Sequence, residues 1–336
     1  MTKPLHVCIH GVGGLGSVIG GRLARAGCQV SLIGRQAHMD AIKAGGLRVT
    51  GREDFVVREN LSCVTHPDQV TGDIDFYILL TKQKGMASAL ADASVLLDRV
   101  SVALTLQNGV GKEAQLIEAF GADRVIGGSI MEGGTLIEPG YVNNHVTSEY
   151  TAYFGELAGG TSERTEALAG AFTDAGMNSK AAEDIQHVLW EKVVQVGGAS
   201  AWGASTLAGN PELDFGSGLS NPDGAAHYVT ISKELLAVYR ELGYRPQNFY
   251  TPVSFLKEVD EMSFDEAVKH CIGLGEYFTN KKGVRTSMHE DLLAGRKTEV
   301  DAIILPLVEQ AERLSVAAPT LVGAYRVIKT LDFYCK

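Results

Sequence analysis

A glycine-rich turn close to the N-terminus constrains the fold of this chain more than any other feature. It reads Gly-Val-Gly-Gly-Leu-Gly and stands between a β-prone run, residues 6–10, and a helix-forming stretch, residues 17–26. A glycine triplet is common by chance and can be a plain turn, but in this context it is typical of a dinucleotide-binding βαβ unit. The N-terminus of the helix would then favour the pyrophosphate. The residues predicted to bind the cofactor here are Gly11, Val12, Gly13, Gly14, Leu15 and Gly16.

Further apolar runs predict a doubly wound parallel sheet in the first half of the chain. A second strand is expected at residues 29–33, and the runs 76–81, 102–106 and 124–128 alternate with helical stretches, as strands buried on both faces do. Residues 47–57 resemble a hairpin, which we expect as an antiparallel insertion at the sheet edge. Residues 141–154 return to β-like alternation and suggest a final antiparallel region.

From about residue 181 helical periodicity dominates. The clearest predicted helices are residues 185–199, 224–242, 263–278 and 300–314. The predicted fold class is therefore α/β, with an N-terminal Rossmann-like doubly wound sheet and a mostly α-helical C-terminal domain. We expect residues 1–180 to form the NADP-binding domain and residues 181–336 to form a helical domain for substrate binding and dimerisation. The apolar helices are compatible with a homodimer.

The end of the second predicted strand indicates which nicotinamide cofactor binds. An acidic residue there would accept bonds from the ribose hydroxyls and repel a 2′-phosphate. This chain instead has Arg35, whose planar donors suit a phosphate, so NADP(H) is favoured over NAD unless Arg35 is only a solvated surface charge. Lys82 and Asn108 follow two later strands, where ligands of open α/β sheets bind, although each can equally cap a helix or form a turn.

Charge and composition narrow the remaining classes. The 40 acidic residues outnumber the 30 basic ones for a net charge of -10, and no basic run would follow a nucleic-acid backbone. The sequence has no apolar stretch of membrane-spanning length and no secretory signal, so a cytoplasmic protein is expected. The 5 cysteines and 9 histidines lack the short paired spacings of zinc sites, and no metal is predicted.

Together these motifs resemble the ketopantoate reductases (2-dehydropantoate 2-reductases), and the resemblance covers nearly the whole chain. It rests on the order and spacing of Gly11–Gly16, Arg35, Thr81-Lys82 and Asn108-Gly109. The resemblance implies a Rossmann domain followed by a helical domain, and an NADPH-dependent reduction of a 2-oxo acid substrate, with ketopantoate as the nearest guess. Asn108 would then contact both the cofactor and the substrate.

In the second half of the chain, the resemblance implies a catalytic residue. Leu189-Trp-Glu-Lys192 resembles the segment of that family whose lysine donates the proton in ketone reduction, so Lys192 is the predicted general acid. Without the resemblance, a lysine on a solvated helix face is the simpler interpretation. The resemblance further implies substrate contacts by Asn210 and Ser287 and a cofactor contact by Glu299, against the simpler roles of helix cap for Ser287 and exposed ion-pair partner for Glu299.

The resemblance fails at two positions after the catalytic lysine. Typical members carry asparagines four and eight residues later, where this chain has Val196 and Ser200. Ser200 keeps a shorter hydroxyl and stays a predicted substrate residue, whereas Val196 offers no hydrogen bond. We therefore leave the substrate open. A reductase of another oxo compound or of an imine, or a catalytically silent NADP-responsive regulator, are the alternatives. Trp202 either lines a more apolar pocket or belongs to the core.

Overall fold

The computed structural model describes residues 3–109, 111–145, 148–279 and 284–336, and these residues form two compact units. The first contains the described residues of Met1–Gln107 and Gly111–Leu189 together with Tyr250–Val253. The second contains Asn108 and Gly109, Trp190–Phe249 and the described residues of Ser254–Lys336. The expected boundary at residues 180 and 181 lies before this division, which falls inside a continuous helix.

Short strands form the sheets of the first unit. They are β1 (His6–His10), β2 (Gln29–Ile33), β3 (Leu47–Gly51), β4 (Phe55–Val57), β5 (Leu61–Val64), β6 (Ile74–Leu79), β7 (Val100–Thr105), β8 (Gly127–Ile130), β9 (Gly133–Glu138), β10 (Tyr141–His145), β11 (Ala152–Gly155) and β12 (Ser179–Ala181). The helices of both units are α1 (Gly14–Arg25), α2 (Gln36–Gly45), α3 (Met86–Asp92), α4 (Glu113–Phe120), α5 (Glu163–Asp174), α6 (Ile185–Thr206), α7 (Phe215–Leu219), α8 (Pro222–Glu241), α9 (Leu256–Glu261), α10 (Phe264–Thr279), α11 (Ser287–Leu293), α12 (Val300–Ile303), α13 (Leu305–Arg313) and α14 (Pro319–Phe333).

A five-stranded parallel sheet in the order β5-β2-β1-β6-β7 forms the centre of the first unit. Its middle strand, β1, is buried along its whole length because it pairs on both sides, with β2 and β6. The strand order reverses next to β1, so the carboxyl end of β1 lies at the position where ligands bind in such sheets. The predicted parallel sheet is confirmed, although strand β5 was not predicted.

The hairpin of β3 and β4 is confirmed, but its expected place at the edge of the main sheet is wrong. These strands belong to a second sheet with the order β4-β3-β10-β9. β3 pairs with β10 in parallel, and β10 pairs with β9 in the antiparallel sense. The partner of β3 is therefore far away in sequence, which the local pattern cannot reveal.

Residues 124–128 were expected to form another parallel strand of the main sheet, and this expectation is wrong. Val125 makes only an isolated parallel bridge to Ala103, and β8 then pairs antiparallel with β11 in a third sheet, β12-β11-β8. β10 and β11 confirm the antiparallel character expected for residues 141–154, of which residues 146 and 147 lie outside the described part of the chain.

The second unit is built from helices packed around one apolar core. α6, α8 and α10 match the predicted helices closely, whereas the predicted helix 300–314 is divided into α12 and α13. Trp202 is fully buried, and its ring N–H donates to the carbonyl of Gly224 at 2.9 Å, so it belongs to this core. In the described part of the chain, no helix has the length and apolar character needed to cross a bilayer.

Candidate functional site

The glycine turn connects β1 to α1 as predicted. The N–H groups of Gly11 and Val12 donate to the carbonyl of Ile33 at 3.1 and 3.2 Å, which ties the turn to the end of β2. Gly13 is the N-cap of α1 and, having no side chain, offers no capping bond to the helix. The first N–H groups of a helix have no intrahelical partner, so those of Gly14, Leu15 and Gly16 are available to an anion.

A Cβ added at each glycine of the turn would contact different atoms. Gly11 has φ +105°, and a Cβ there would lie 2.4 Å from the backbone nitrogen of Thr81. A Cβ on Gly14 would lie 2.0 Å from the carbonyl oxygen of Gly134 in β9, and one on Gly16 would lie 2.9 Å from that of Gly11. A Cβ on Gly13 would meet nothing within 4 Å. Three glycines are thus required by the protein itself, while Gly13 faces open space.

That open space is a cavity of about 820 Å³ over the carboxyl ends of the strands. Its walls include Gly11, Val12 and Gly13 from the turn, and Arg35, Lys82 and Lys84 as cations. No aspartate or glutamate is found among the described residues that line it. An open cleft of this size with cationic walls and a helix N-terminus suits a large anionic ligand such as a dinucleotide.

Two buried polar atoms beside this cavity also fit a polar ligand. Thr81 Oγ1 and Gln107 Oε1 have no hydrogen-bond partner within the described structure, although the amide nitrogen of Gln107 donates to the carbonyl of Thr81. Buried oxygens are normally satisfied, and an orphaned one indicates a missing ligand or water. Their location at the ends of β6 and β7 is where a dinucleotide would supply hydrogen bonds.

Arg35 stands at the N-cap of α2, directly after β2 and Gly34, and it lines the cavity. The first acidic residue after the strand, Asp40, accepts both bonds from the side-chain amide of Gln36, at 2.7 and 2.8 Å. This carboxylate does not line the cavity. The end of β2 therefore presents a cation where NAD-selective sites present a carboxylate.

Two buried histidines in the cavity wall were missed by the sequence analysis. His10, at the end of β1, is joined to the hydroxyl of Tyr77 at 2.7 Å, and burial lowers the pKa of His10 although Asp92 partly opposes this. His38, on the first turn of α2, bonds to Ser17 and to the backbone of Gly140. The one signal in the sequence that could have placed either histidine in the cavity wall is the position of His38, three residues after Arg35.

In the second unit, Lys192 lies on α6 and is only 6% exposed. Its neighbour Glu191 is buried as well, and its carboxylate accepts the N–H groups of Gln247 and Phe249 at 2.6 and 2.9 Å. These bonds hold the start of the helix against the loop before Tyr250. The solvated helix face considered for Lys192 is therefore excluded by its burial.

The helix face that carries Lys192 continues through Val196 and Ser200, since residues four apart share a face. Ser200 is buried and Val196 is half-buried. One turn further, Gly203 packs against Thr286, whose hydroxyl would lie 3.5 Å from a Cβ there. Thr286 is the N-cap of α11, so Ser287 begins that helix with an exposed hydroxyl and does not act as its cap.

The loop of Asn108 and Gly109 packs, within the second unit, against α12. A Cβ on Gly109 would lie 3.1 Å from the carbonyl oxygen of Ala302. Glu299 is the N-cap residue of this short helix and is half-buried. The preceding residue, Thr298, donates both its N–H and its hydroxyl to Asp332 at 3.0 Å. Asn108 and Glu299, both predicted to contact the cofactor, are thus brought to the same helix.

Asn210 lies in the exposed turn after α6. Its side-chain oxygen accepts the N–H of Glu212 at 2.9 Å, and its backbone N–H donates to Leu207. The local role of Asn210 is therefore to shape this turn. Lys82, by contrast, is exposed and lines the cavity of the first unit.

Comparisons with known proteins match both halves of the chain. A family model described as ketopantoate reductase PanE/ApbA matches residues 7–159, and one described as its C-terminal part matches residues 184–332. The 2-dehydropantoate 2-reductase of Halobacterium salinarum is 30% identical over 318 residues, covering 94% of this chain and 95% of that protein.

Solved structures agree over nearly the whole length. The crystal structure of 2-dehydropantoate 2-reductase from Methylococcus capsulatus is 27% identical with a TM-score of 0.74, covering 98% of this chain and 97% of that one. D-mandelate dehydrogenase, solved with NADH and anilino(oxo)acetate, shares the fold with a TM-score of 0.75 at 20% identity, covering 98% of this chain and 99% of that one. On these matches, the chain belongs to the ketopantoate reductase (PanE/ApbA) family of oxidoreductases.

Proposed function

We propose that this protein reduces a 2-oxo acid with NADPH, with 2-dehydropantoate (ketopantoate) as the nearest candidate substrate and pantoate as its product. The observation that carries the proposal is the burial of Lys192, 6% exposed, on α6 of a chain in this family. Lysine is among the residues least often buried in proteins. An ammonium group kept inside a helical unit suits the transfer of a proton to a reacting oxygen.

For comparison, another buried lysine has a structural explanation. Lys112, 3% exposed, donates to the carbonyl groups of Gln107 and Gly128 at 2.8 and 2.9 Å and so holds the end of β7. Burial of a lysine alone therefore does not identify a catalytic group. The family match and the position in Trp190-Glu191-Lys192 support Lys192 as the general acid.

Arg35 supports NADP(H) as the cofactor, because its guanidinium offers donors to a 2′-phosphate and no carboxylate lines the described cavity wall. The bound cofactor supplies the hydride. The N–H groups of Gly14, Leu15 and Gly16 would bind the pyrophosphate, and Lys82, Asn108 and Glu299 would contact other parts of the dinucleotide.

Reduction of the carbonyl places negative charge on its oxygen, which a cation can stabilise and protonate. Lys192 would hold this oxygen and donate the proton from Nζ. We assign the orientation of the substrate to Asn108, Ser200, Asn210 and Ser287. The helix face of Lys192 carries fewer side-chain amides than the family resemblance predicts, because this chain has Val196 and Ser200 where asparagines are expected. A 2-oxo acid with a less polar side chain than ketopantoate is therefore the second candidate substrate.

The test is NADPH oxidation with a panel of 2-oxo acids that includes ketopantoate. We expect Lys192→Ala to lower kcat about 10²- to 10⁴-fold, the usual contribution of general acid catalysis, without weakening NADPH binding. Lys233→Ala is a control in the same unit, since Lys233 is half-buried and donates to the carbonyls of Val259 and Met262. Tight NADPH binding with no turnover of any 2-oxo acid would contradict the proposal and favour a regulatory protein.

A further inference from the structure

A chain of hydrogen bonds runs behind the glycine turn. The N–H of Gly140, in the turn between β9 and β10, donates to Nδ1 of His38 at 2.9 Å. Nε2 of His38 lies 2.9 Å from the hydroxyl of Ser17, and this hydroxyl donates to the carbonyl of Gly13 at 2.6 Å. Ser17 is 0% exposed and His38 is 4% exposed, so water does not compete for these bonds.

The donors and acceptors fix the tautomer of His38. Nδ1 faces an N–H group and must accept, so the proton of the neutral ring is on Nε2 and is donated to Ser17. The hydroxyl hydrogen of Ser17 is then left for Gly13. Burial lowers the pKa of His38, which favours the neutral ring that this arrangement needs.

The last bond of the chain fixes a peptide plane. The carbonyl of Gly13 accepts from both the N–H and the hydroxyl of Ser17, at 3.0 and 2.6 Å. Because the peptide group is planar and trans, holding this carbonyl along α1 points the N–H of Gly14 the opposite way, out of the helix N-terminus. Glycines restrict their own backbone least of all residues, and no side chain caps this helix, so the turn depends on such outside bonds.

We propose that His38 is a positioning residue for the cofactor: acting through Ser17, it orients the Gly13–Gly14 peptide whose N–H binds the pyrophosphate. His38 also belongs to the first turn of α2, and its N–H donates to the carbonyl of Arg35 at 3.0 Å. Through its backbone and its side chain, His38 thereby links the residue assigned to the 2′-phosphate with the turn assigned to the pyrophosphate. The inference rests on the proposed function of this turn as an NADPH site.

Two amide variants separate this role from a merely structural one. Counted from Cβ, the terminal nitrogen of glutamine is as far along the side chain as Nε2 of histidine, and the terminal atoms of asparagine are as far as Nδ1. His38→Gln therefore keeps the donor to Ser17, and His38→Asn keeps only the acceptor for Gly140. We expect the dissociation constant for NADPH to rise about fivefold in His38→Asn, the usual worth of a neutral hydrogen bond, and to stay near the wild-type value in His38→Gln.

His6 provides a matched control in the same unit. It is also buried, with Nε2 at 2.8 Å from the hydroxyl of Ser31 and Nδ1 at 2.7 Å from the carbonyl of Asp73. His6 begins β1, at the end opposite the turn. His6→Asn should lower the melting temperature as His38→Asn does and leave NADPH binding unchanged. Equal losses of NADPH affinity in both variants would overturn the inference.

Direct binding, measured by the fluorescence of NADPH without substrate, is the readout, with the melting temperature of each variant as the check on folding. Ser17→Ala should weaken NADPH about as much as His38→Asn, and the double variant should be no weaker, because both remove one chain of bonds. Wild-type NADPH affinity in His38→Asn would overturn the role of His38, whatever the affinity of His38→Gln. Failure of the wild-type protein itself to bind NADPH would instead overturn the proposed function.

Discussion

The two units use glycine and side chains in opposite ways. In the first unit, Gly13 leaves open space beside a helix N-terminus, and the groups assigned to the ligand are mostly backbone N–H groups. In the second, Gly216 and Gly275 let α7 and α10 pack backbone against backbone, while the groups assigned to the reaction are side chains, above all Lys192. A site built from backbone N–H groups tolerates few replacements of its glycines. A site built from side chains can change its substrate when a single side chain is replaced.

The largest effect expected on cofactor binding tests the open space at Gly13. Gly13→Ala adds a methyl group that meets no atom of the described residues within 4 Å, and the φ of Gly13 is negative, at -101°, so the fold should hold. The methyl group would occupy the place assigned to the pyrophosphate. We expect NADPH binding, measured by titration calorimetry, to weaken about 100-fold as charge-assisted bonds are lost.

Gly170→Ala is the control, because a Cβ at Gly170 also meets nothing within 4 Å but stands on the exposed face of α5. It should slightly stabilise the protein through helix propensity and leave the cofactor affinity unchanged. Wild-type affinity in Gly13→Ala would mean that the cofactor does not approach the turn.

A charge reversal at Arg35 tests the proposed choice of NADPH over NADH in the same unit. Arg35→Asp should weaken NADPH about 50-fold, because bonds to a charged phosphate are lost and a repulsive charge is gained, while NADH should change far less. The ratio of the two dissociation constants is the measurement. Lys43→Asp reverses an exposed charge on the same helix and should change both cofactors little and equally. Equal weakening of NADPH and NADH by Arg35→Asp would refute its role.

In the second unit the corresponding glycine test changes stability and leaves the cofactor affinity intact. A Cβ on Gly275 would lie 2.4 Å from the backbone nitrogen of Ser220, which cannot move as a side chain can. We expect Gly275→Ala to lower the free energy of unfolding by about 2 kcal/mol, measured by urea denaturation. Gly273→Ala, on the same helix with nothing within 4 Å, should raise it slightly. Comparable values for both variants would contradict the close packing of α7 and α10.

The contrast between the units also explains what the sequence could predict. The glycine turn, β1, β2 and Arg35 are neighbours in sequence, and their spacing predicted a dinucleotide site in the first unit. The sheet to which β3 belongs and the hydrogen bonds of the His38 side chain depend on partners far away along the chain. His38 bonds Ser17, 21 residues away, and Gly140, 102 residues away, and no local pattern encodes such pairs. Lys192 is a candidate through the family resemblance, because a single lysine in a helix has no signature of its own.

The smallest expected effect concerns the substrate. Val196→Asn restores, one turn after Lys192, the amide that the family resemblance predicts, and it should raise kcat/KM for ketopantoate about fivefold, the worth of one neutral hydrogen bond. For 2-oxo acids with apolar side chains the same variant should lower kcat/KM, since an unpaired amide would face them. Val196→Leu keeps the position apolar and should give no gain with ketopantoate. If Val196→Asn leaves the ranking of the 2-oxo acids unchanged, Val196 does not face the substrate, and the preference must arise from side chains on other helices of the second unit.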